Sequence, residues 1–240
     1  MIHPTARKNR TQMKKNTHQA LAGLSICFDL DGTVVDTAPD LVRVTSEVIA
    51  GRGHSAVNYR KARNAVGYGS RRMITDALSD ARDTATEAEI DDMQAEFLDR
   101  YAKSIDALST PFPGVEQTLA ELIDLGADLS ICTNKPGWLA RPLLRKLDLD
   151  HYFTRVVGGD EPKQKKPAPG HIFAAAGHRD ASRIIMVGDS WPDMRAAHNA
   201  NVHFILMTYG YSPVPQIRLR ADTRLSRFRD IVPTLCNRYE

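Results

Sequence analysis

Five short apolar runs, alternating with helix-patterned stretches, constrain this chain more than any other feature of its sequence. The runs span 25–30, 127–132, 154–157, 183–187 and 202–207. Between most of them lie apolar residues at helical spacing, as in Val115, Leu119, Leu122 and Ile123, and again over 138–147, 172–176 and 194–200. Buried strands alternating with amphipathic helices predict an α/β fold: a Rossmann-like, doubly wound parallel sheet covered on both faces. One stretch breaks the alternation. Residues 39–109 hold three helix patterns, over 41–49, 70–78 and 87–105, and no convincing strand, before Thr110-Pro111-Phe112-Pro113-Gly114 marks a boundary. The expected domains are therefore a core of 25–38 and 110–240 with an all-helical cap, 39–109, inserted just after the first strand. Such an insert hangs over the sheet edge and is read as a lid. A last helix over 226–235 is expected to pack on the sheet.

Composition narrows the classes. The 240 residues, 42% hydrophobic, suffice for one sizeable core with a satellite. No apolar stretch approaches the ~20 residues that span a bilayer, and the N-terminus lacks a signal-peptide pattern. A soluble, cytoplasmic protein with no membrane partner is expected. The formal charge is +3, but residues 1–24 alone carry +5 and no acid, so the remainder is −2. A mildly acidic body gives no reason to expect nucleic-acid binding. The basic 1–24 segment reads as a disordered extension. Cys27, Cys132 and Cys236 share no metal-ligand spacing; the first two sit inside strand-like runs and read as small buried hydrophobes.

In an open parallel sheet, ligands bind outside the carboxyl ends of the strands. Four polar clusters follow predicted strands: Asp29 and Asp31; Thr133-Asn134-Lys135; Asp160 and Glu161, with Lys163, Lys165 and Lys166 beyond; and Gly188-Asp189-Ser190, with Asp193 after it. All four should meet along one edge. Converging carboxylates with a lysine suggest a hard cation and a phosphate, and Mg²⁺ suits oxygen ligands of this kind. Asp29 and Asp189 are the natural ligands, and Asp193, one helical turn on, ligates or braces. Asp29 is placed to attack phosphorus and form an aspartyl phosphate. Asp31, two residues on, is placed to protonate the leaving oxygen and later to accept a proton from water. This division asks for an ionised Asp29 beside a protonated Asp31. The Thr133 hydroxyl would hold phosphate oxygens.

The sequence Asp29-x-Asp31-Gly32-Thr33, then Thr133-Asn134, Lys166-Pro167 and Gly188-Asp189 with Asp193, resembles the four ordered motifs of the haloacid dehalogenase-like hydrolases, over about residues 24–238. A helical insert after the first motif is similar to that superfamily's type-1 cap. The resemblance implies Asp29 as nucleophile, Asp31 as acid/base, Thr133 and Asn134 as phosphate ligands, and Lys166 as the neutralising lysine. It implies Mg²⁺ on Asp29, Asp189 and Asp193, with the backbone carbonyl of Asp31. Thr37-Ala38-Pro39-Asp40-Leu41, Thr133-Asn134-Lys135, Lys166-Pro167-Ala168-Pro169 and the Gly67-Tyr68-Gly69 of the insert are similar to the phosphoglycolate phosphatase group. Trp191-Pro192 departs from it, and a Trp there is expected to narrow the entrance.

The leading expectation is a phosphomonoesterase for a small phosphorylated metabolite, with 2-phosphoglycolate as named candidate. Another sugar phosphate or pyrophosphate fits the same core, and a phosphomutase of the β-phosphoglucomutase kind would keep both aspartates. A dehalogenase leaves Asp31 and the metal carboxylates without a role, a phosphonatase calls for a cap lysine that is not evident, and a non-catalytic binder need not retain Asp29 and Asp31. Arg71 and Arg72, near a predicted helix start, are candidates to pair with a substrate carboxylate, as are Arg43 and Lys135. Trp138 is expected to pack in the core or at the rim.

Overall fold

The five apolar runs become five strands of a six-stranded, wholly parallel sheet, whose sixth strand, Thr223–Leu225, the sequence reading missed, in the computed structural model, which describes residues 19–55 and 57–239. The chain enters at β1 (Ser25–Phe28) and makes a two-residue strand, β2 (Val35–Asp36). Four helices follow: α1 (Ala38–Ala50), α2 (Tyr59–Asn64), α3 (Ser70–Ala81) and α4 (Glu87–Lys103). After β3 (Thr110–Pro111) come α5 (Val115–Asp124), β4 (Asp128–Cys132), α6 (Gly137–Lys146), β5 (Arg155–Val157), α7 (Pro169–Ala176), β6 (Ile184–Gly188), α8 (Trp191–Ala200), β7 (His203–Met207), β8 (Thr223–Leu225) and α9 (Ile231–Tyr239). Their order across the sheet is β5-β4-β1-β6-β7-β8. The chain thus starts centrally, builds one flank, and returns to build the other. The reversal opens a crevice at the carboxyl end of β1, between β4 and β6.

Strand pleating sorts the core into two layers. Ile26, Phe28, Leu129, Ile131, Ile185 and Val187 cluster with Leu119 and Leu122 of α5, Leu143 of α6 and Ile231 of α9. Cys27, Cys132, Met186, Phe204 and Leu206 cluster with Ile172 of α7 and Ala196 and Ala197 of α8. Burial on both faces explains why these strands read as continuous apolar runs. Cys27 and Cys132 are free and buried, as their setting in the sequence implied.

Among the described residues, no strand lies between Asp36 and Thr110. The two ends of this helical stretch are tied by the antiparallel pair β2–β3, Val35 opposite Pro111 and Asp36 opposite Thr110. A buried carboxylate ties them again: Asp40 Oδ2 accepts from Leu108 N, Ser109 N and Ser109 Oγ, each at 2.8 Å. Neither tie is visible as a periodic pattern, because each joins residues about 70 positions apart.

Three expectations need correction. Residues 1–18 of the predicted extension lie outside the described residues, but 19–24 belong to the fold: Leu21 and Leu24 are buried, and Leu21 N donates to Leu125 O at 3.0 Å. Two leucines entering the core outweigh a polar local composition. Helix α2 carries one buried residue, Ala62, and so offers no periodicity; its start is capped by Asn58, which accepts from Lys61 N at 3.2 Å. The last helix begins at Ile231, not at 226. A start at 226 would put Pro233 in a helix interior, where it lacks the donor, whereas a start at Ile231 leaves it in the first turn.

Candidate active site

The carboxyl ends of β1, β4 and β6 bring the expected motifs to one crevice. Asp29 follows β1 directly, and its N–H still donates to Val187 O at 2.9 Å, so the sheet ladder fixes its backbone. Asp29 Oδ1 accepts from Leu30 N at 2.8 Å and meets Lys166 Nζ at 2.9 Å. Neither donor uses Oδ2. Lys166 Nζ also meets Asp193 Oδ1 at 2.6 Å. Asp193 sits in the first turn of α8, where its Oδ2 accepts from Ser190 N at 3.0 Å and Ser190 Oγ at 2.6 Å, the reach-back half of a capping box. Helix initiation therefore aims Asp193 at Lys166. Asp189 accepts from Thr33 Oγ1 at 3.0 Å and from Tyr211 N at 2.6 Å.

Two glycines allow this crowding. Gly32 has φ +89°, a left-handed conformation suited to glycine, and a Cβ there would lie 2.7 Å from Asp189 Oδ2. A Cβ on Gly188 would lie 2.4 Å from Asp193 Cβ.

The acid excess is electrostatically costly. Asp29, Asp189 and Asp193 are all buried, and each brings an oxygen within 4.8 Å of the others. They face one ammonium, that of Lys166. Burial pushes the Asp29 carboxyl up to about 7, with Asp193 adding to the rise and Lys166 opposing it. Burial, then Asp193 and Asp29, push Asp189 well above the usual carboxylate range. Burial works against the Lys166 charge, but Asp193 and Asp29 hold its pKa above the ordinary value. Three carboxylates, once ionised, against one ammonium would leave two surplus negative charges in an all-oxygen donor set, which fits a hard divalent cation.

Asp31 is set apart from that cluster. Its Oδ1 accepts from Thr37 Oγ1 at 2.7 Å and from Lys135 Nζ at 2.9 Å. Lys135 is buried; burial disfavours its charge, yet Asp31 and Tyr101 keep its pKa above the usual lysine value. Asp31 thus has an ammonium to itself, while Asp29 shares that of Lys166 with Asp193.

The family model for haloacid dehalogenase-like hydrolases matches residues 26–207. The chain belongs to the haloacid dehalogenase-like hydrolases. It is 41% identical over 222 residues to a phosphoglycolate phosphatase of Agrobacterium fabrum, covering 91% of this chain and 94% of the relative. It is 37% identical over 223 residues to one from Caulobacter vibrioides, covering 92% and 94%. Among solved structures, a predicted phosphoglycolate phosphatase from Haemophilus somnus superposes with TM-score 0.81 at 29% identity, covering 89% of this chain and 98% of that one.

In this hydrolase the remaining expected residues divide sharply. Thr133 lines the cavity beside Asp29, and its Oγ1 accepts from Lys135 N at 3.1 Å, which leaves the hydroxyl hydrogen free. Asn134 lines it too; its Nδ2 donates to Lys166 O at 3.1 Å, fixing the lysine's backbone. The doubled lysine resolves by exposure: Lys165 is exposed and Lys166 is 2% exposed. Asp160 accepts from Gly137 N at 2.7 Å, and Glu161 accepts from Gly158 N at 3.1 Å and from Arg141 Nη2 at 2.7 Å.

The arginines of the helical insert do not reach the site. Arg71 pairs with Glu87 and Asp91, and Arg72 meets Asp76 at 2.6 Å. Arg43 meets Asp40 at 2.8 Å and Glu47 at 3.0 Å. Neighbouring acids at helical and cross-helix spacing claim these guanidiniums, so expecting them at a substrate carboxylate is corrected. Trp138 and Trp191 are 50% and 37% exposed, and neither lines the cavity. Gly67 and Gly69 do line it, and a Cβ on Gly67 would sit 3.4 Å from Ser190 Oγ, so the insert closes onto the Asp189–Asp193 loop.

Sequence reasoning missed several partners. Thr33 and Thr37 stood in the first motif and could have been found there as hydroxyl donors. His171 accepts from Lys166 N at 3.2 Å and bonds Val157 O at 3.0 Å, holding the Lys166 loop. Tyr209 Oη donates to Thr33 O at 2.6 Å, and Tyr211 Oη donates to Asp36. The two tyrosines follow β7, far along the chain from the first motif, and carry no local signal.

Proposed function

We propose that this hydrolase is a phosphomonoesterase acting through Asp29, with 2-phosphoglycolate as substrate and Mg²⁺ as cofactor. The observation that carries the reading is the convergence of Asp29, Asp189 and Asp193 on Lys166 at the strand ends, with Asp31 two residues from Asp29 but outside that cluster. The phosphoglycolate phosphatases it resembles supply the choice of substrate.

In this reading Asp29 Oδ2, the oxygen that neither Leu30 N nor Lys166 uses, attacks phosphorus. The bond from phosphorus to the ester oxygen breaks, and Asp31 delivers a proton to that oxygen. Water then attacks the aspartyl phosphate, Asp31 takes its proton, and the Asp29 carboxylate returns as phosphate leaves. Thr133 donates to a phosphate oxygen, and Lys166 holds Asp29 in line while neutralising charge. Asp29 and Asp189, with Asp193 behind them, would hold the divalent cation, which supplies charge neutralisation for the phosphoryl group. The insert, 39–109, acts as the cap. The reading retains a cytoplasmic enzyme for a small phosphorylated metabolite, without nucleic-acid or membrane partners. Among the described residues, no helix is long and apolar enough to cross a membrane.

The test is phosphate release from 2-phosphoglycolate with Mg²⁺, with and without chelator, in the wild type and in Asp29→Asn. Chelation should stop turnover, and re-addition of Mg²⁺ should restore it. Asp29→Asn should lose about a thousandfold or more in kcat and form no acid-labile phosphoenzyme. Near-normal turnover by that variant would sink the mechanism.

A further inference from the structure

The cavity under the insert holds two buried polar atoms with no hydrogen-bond partner, the Tyr101 hydroxyl and Asn134 Oδ1. Buried hydroxyls are nearly always paired, so an unpaired one in a ligand cavity marks a place where the ligand supplies the partner. Tyr101 lies in the last turn of α4 and is fully buried. Its ring stacks on Phe97 with centroids 5.8 Å apart, and Lys135 Nζ stands 4.6 Å from its centroid. Those contacts fix the ring and leave the hydroxyl hydrogen free to turn.

The chemistry of the surroundings selects the ligand group. On the insert side the lining is otherwise apolar, as at Leu41, Val66, Met73 and Phe97, apart from Ser70, whose Oγ accepts from Gln94 at 3.4 Å. Lys135 has three N–H donors, and Asp31 Oδ1 takes one. Arg43, Arg71 and Arg72 are committed to acids and bring no charge here. An anionic oxygen on the organic end of a substrate would therefore meet two donors, Lys135 from the sheet and Tyr101 from the insert. The cavity is about 50 Å³.

We infer that Tyr101 is a specificity-determining residue that reads a carboxylate on the organic end of the phosphoester, its hydroxyl and the Lys135 ammonium forming a two-donor clamp across the cavity. This rests on the phosphomonoesterase reading above.

The test compares 2-phosphoglycolate with ethyl phosphate, which has the same two carbons and no carboxylate. Wild type and Tyr101→Phe are measured with Mg²⁺ by steady-state kinetics, and binding of both esters by calorimetry. The phenyl ring keeps the stacking on Phe97 and the Lys135 contact and removes only the hydroxyl. The ratio of kcat/KM for 2-phosphoglycolate to that for ethyl phosphate should fall roughly tenfold, mainly through KM, as expected for one hydrogen bond to a charged group. The substrate-free thermal midpoint should hold or rise, since an unpaired buried group is removed; a purely structural tyrosine would lower it. An unchanged ratio with active enzyme overturns the clamp and leaves the hydrolase standing. Tyr101-dependent binding of 2-phosphoglycolate without phosphate release overturns the hydrolase and keeps the clamp. Neither binding nor turnover overturns both.

Discussion

Replacing Asp40 by alanine should unfasten the helical insert from the sheet it covers. Asp40 stands in the first turn of α1, where a carboxylate suits the helix N-terminus. Its Oδ2 takes three hydrogen bonds from Leu108 and Ser109, and its Oδ1 accepts from Arg43 Nη2 at 2.8 Å. Burial would raise this carboxyl's pKa, but Arg43, Leu108 and Ser109 hold it below the usual range. Truncation strands two backbone N–H groups and a hydroxyl, of which those on Ser109 are buried, and frees a partly exposed guanidinium. Each stranded group costs about 1–3 kcal/mol, partly recovered by water at the Arg43 side, so about 3–5 kcal/mol is expected. Asp40→Asn can turn its carbonyl oxygen toward Ser109 and loses mainly the arginine pair, about 1–2 kcal/mol. Urea unfolding of both variants, at unchanged m, reads the two values. The native pKa is depressed, so the contribution is complete above the unfolded value near 3.8 and disappears as pH falls through the native one. A loss below about 1 kcal/mol for Asp40→Ala would refute its role as the tie between the two ends of the insert.

Two further outcomes follow from the site's supports. Burial, then the Lys166 charge, lower the His171 pKa from 6.5 to about 4. The folded state therefore prefers neutral imidazole, and stability is lost as pH falls from 6.5 toward 4. Between about pH 7 and about pH 5 the wild type should lose about 2 kcal/mol more than His171→Asn in urea titrations, and equal losses would refute the assignment. Gly188→Ala forces a Cβ to 2.4 Å from Asp193 Cβ. It should destabilise by about 1–3 kcal/mol and weaken Mg²⁺ binding by calorimetry, whereas wild-type affinity would show that the Asp189–Asp193 loop absorbs the methyl.

The legible and the illegible parts of the site differ in how far apart their partners lie. Asp29 and Asp31 could be read because strand, carboxylates and glycine turn are consecutive. Lys166 was legible through its proline, and Asp193 through its spacing from Asp189. The pairing of Lys135 with Asp31 joins positions 104 apart, and Tyr211 N reaches Asp189 from a loop after β7. Arg71 and Arg72 misled for the converse reason: the acids that claim them were nearby but not yet known to face them.

By itself, the sequence determined a doubly wound sheet, a helical insertion after its first strand, and an acid-rich phosphoryl site at the strand ends. Those are consequences of local periodicity and of residues adjacent in the chain. Only the tertiary structure decided that Lys166 binds Asp29 and Asp193 while Lys135 binds Asp31. Only it left the Tyr101 hydroxyl unpaired over the cavity and spent the insert's arginines on acids. These outcomes depend on which side chains of distant segments meet in a space too small for water to separate them, and no local pattern encodes that meeting.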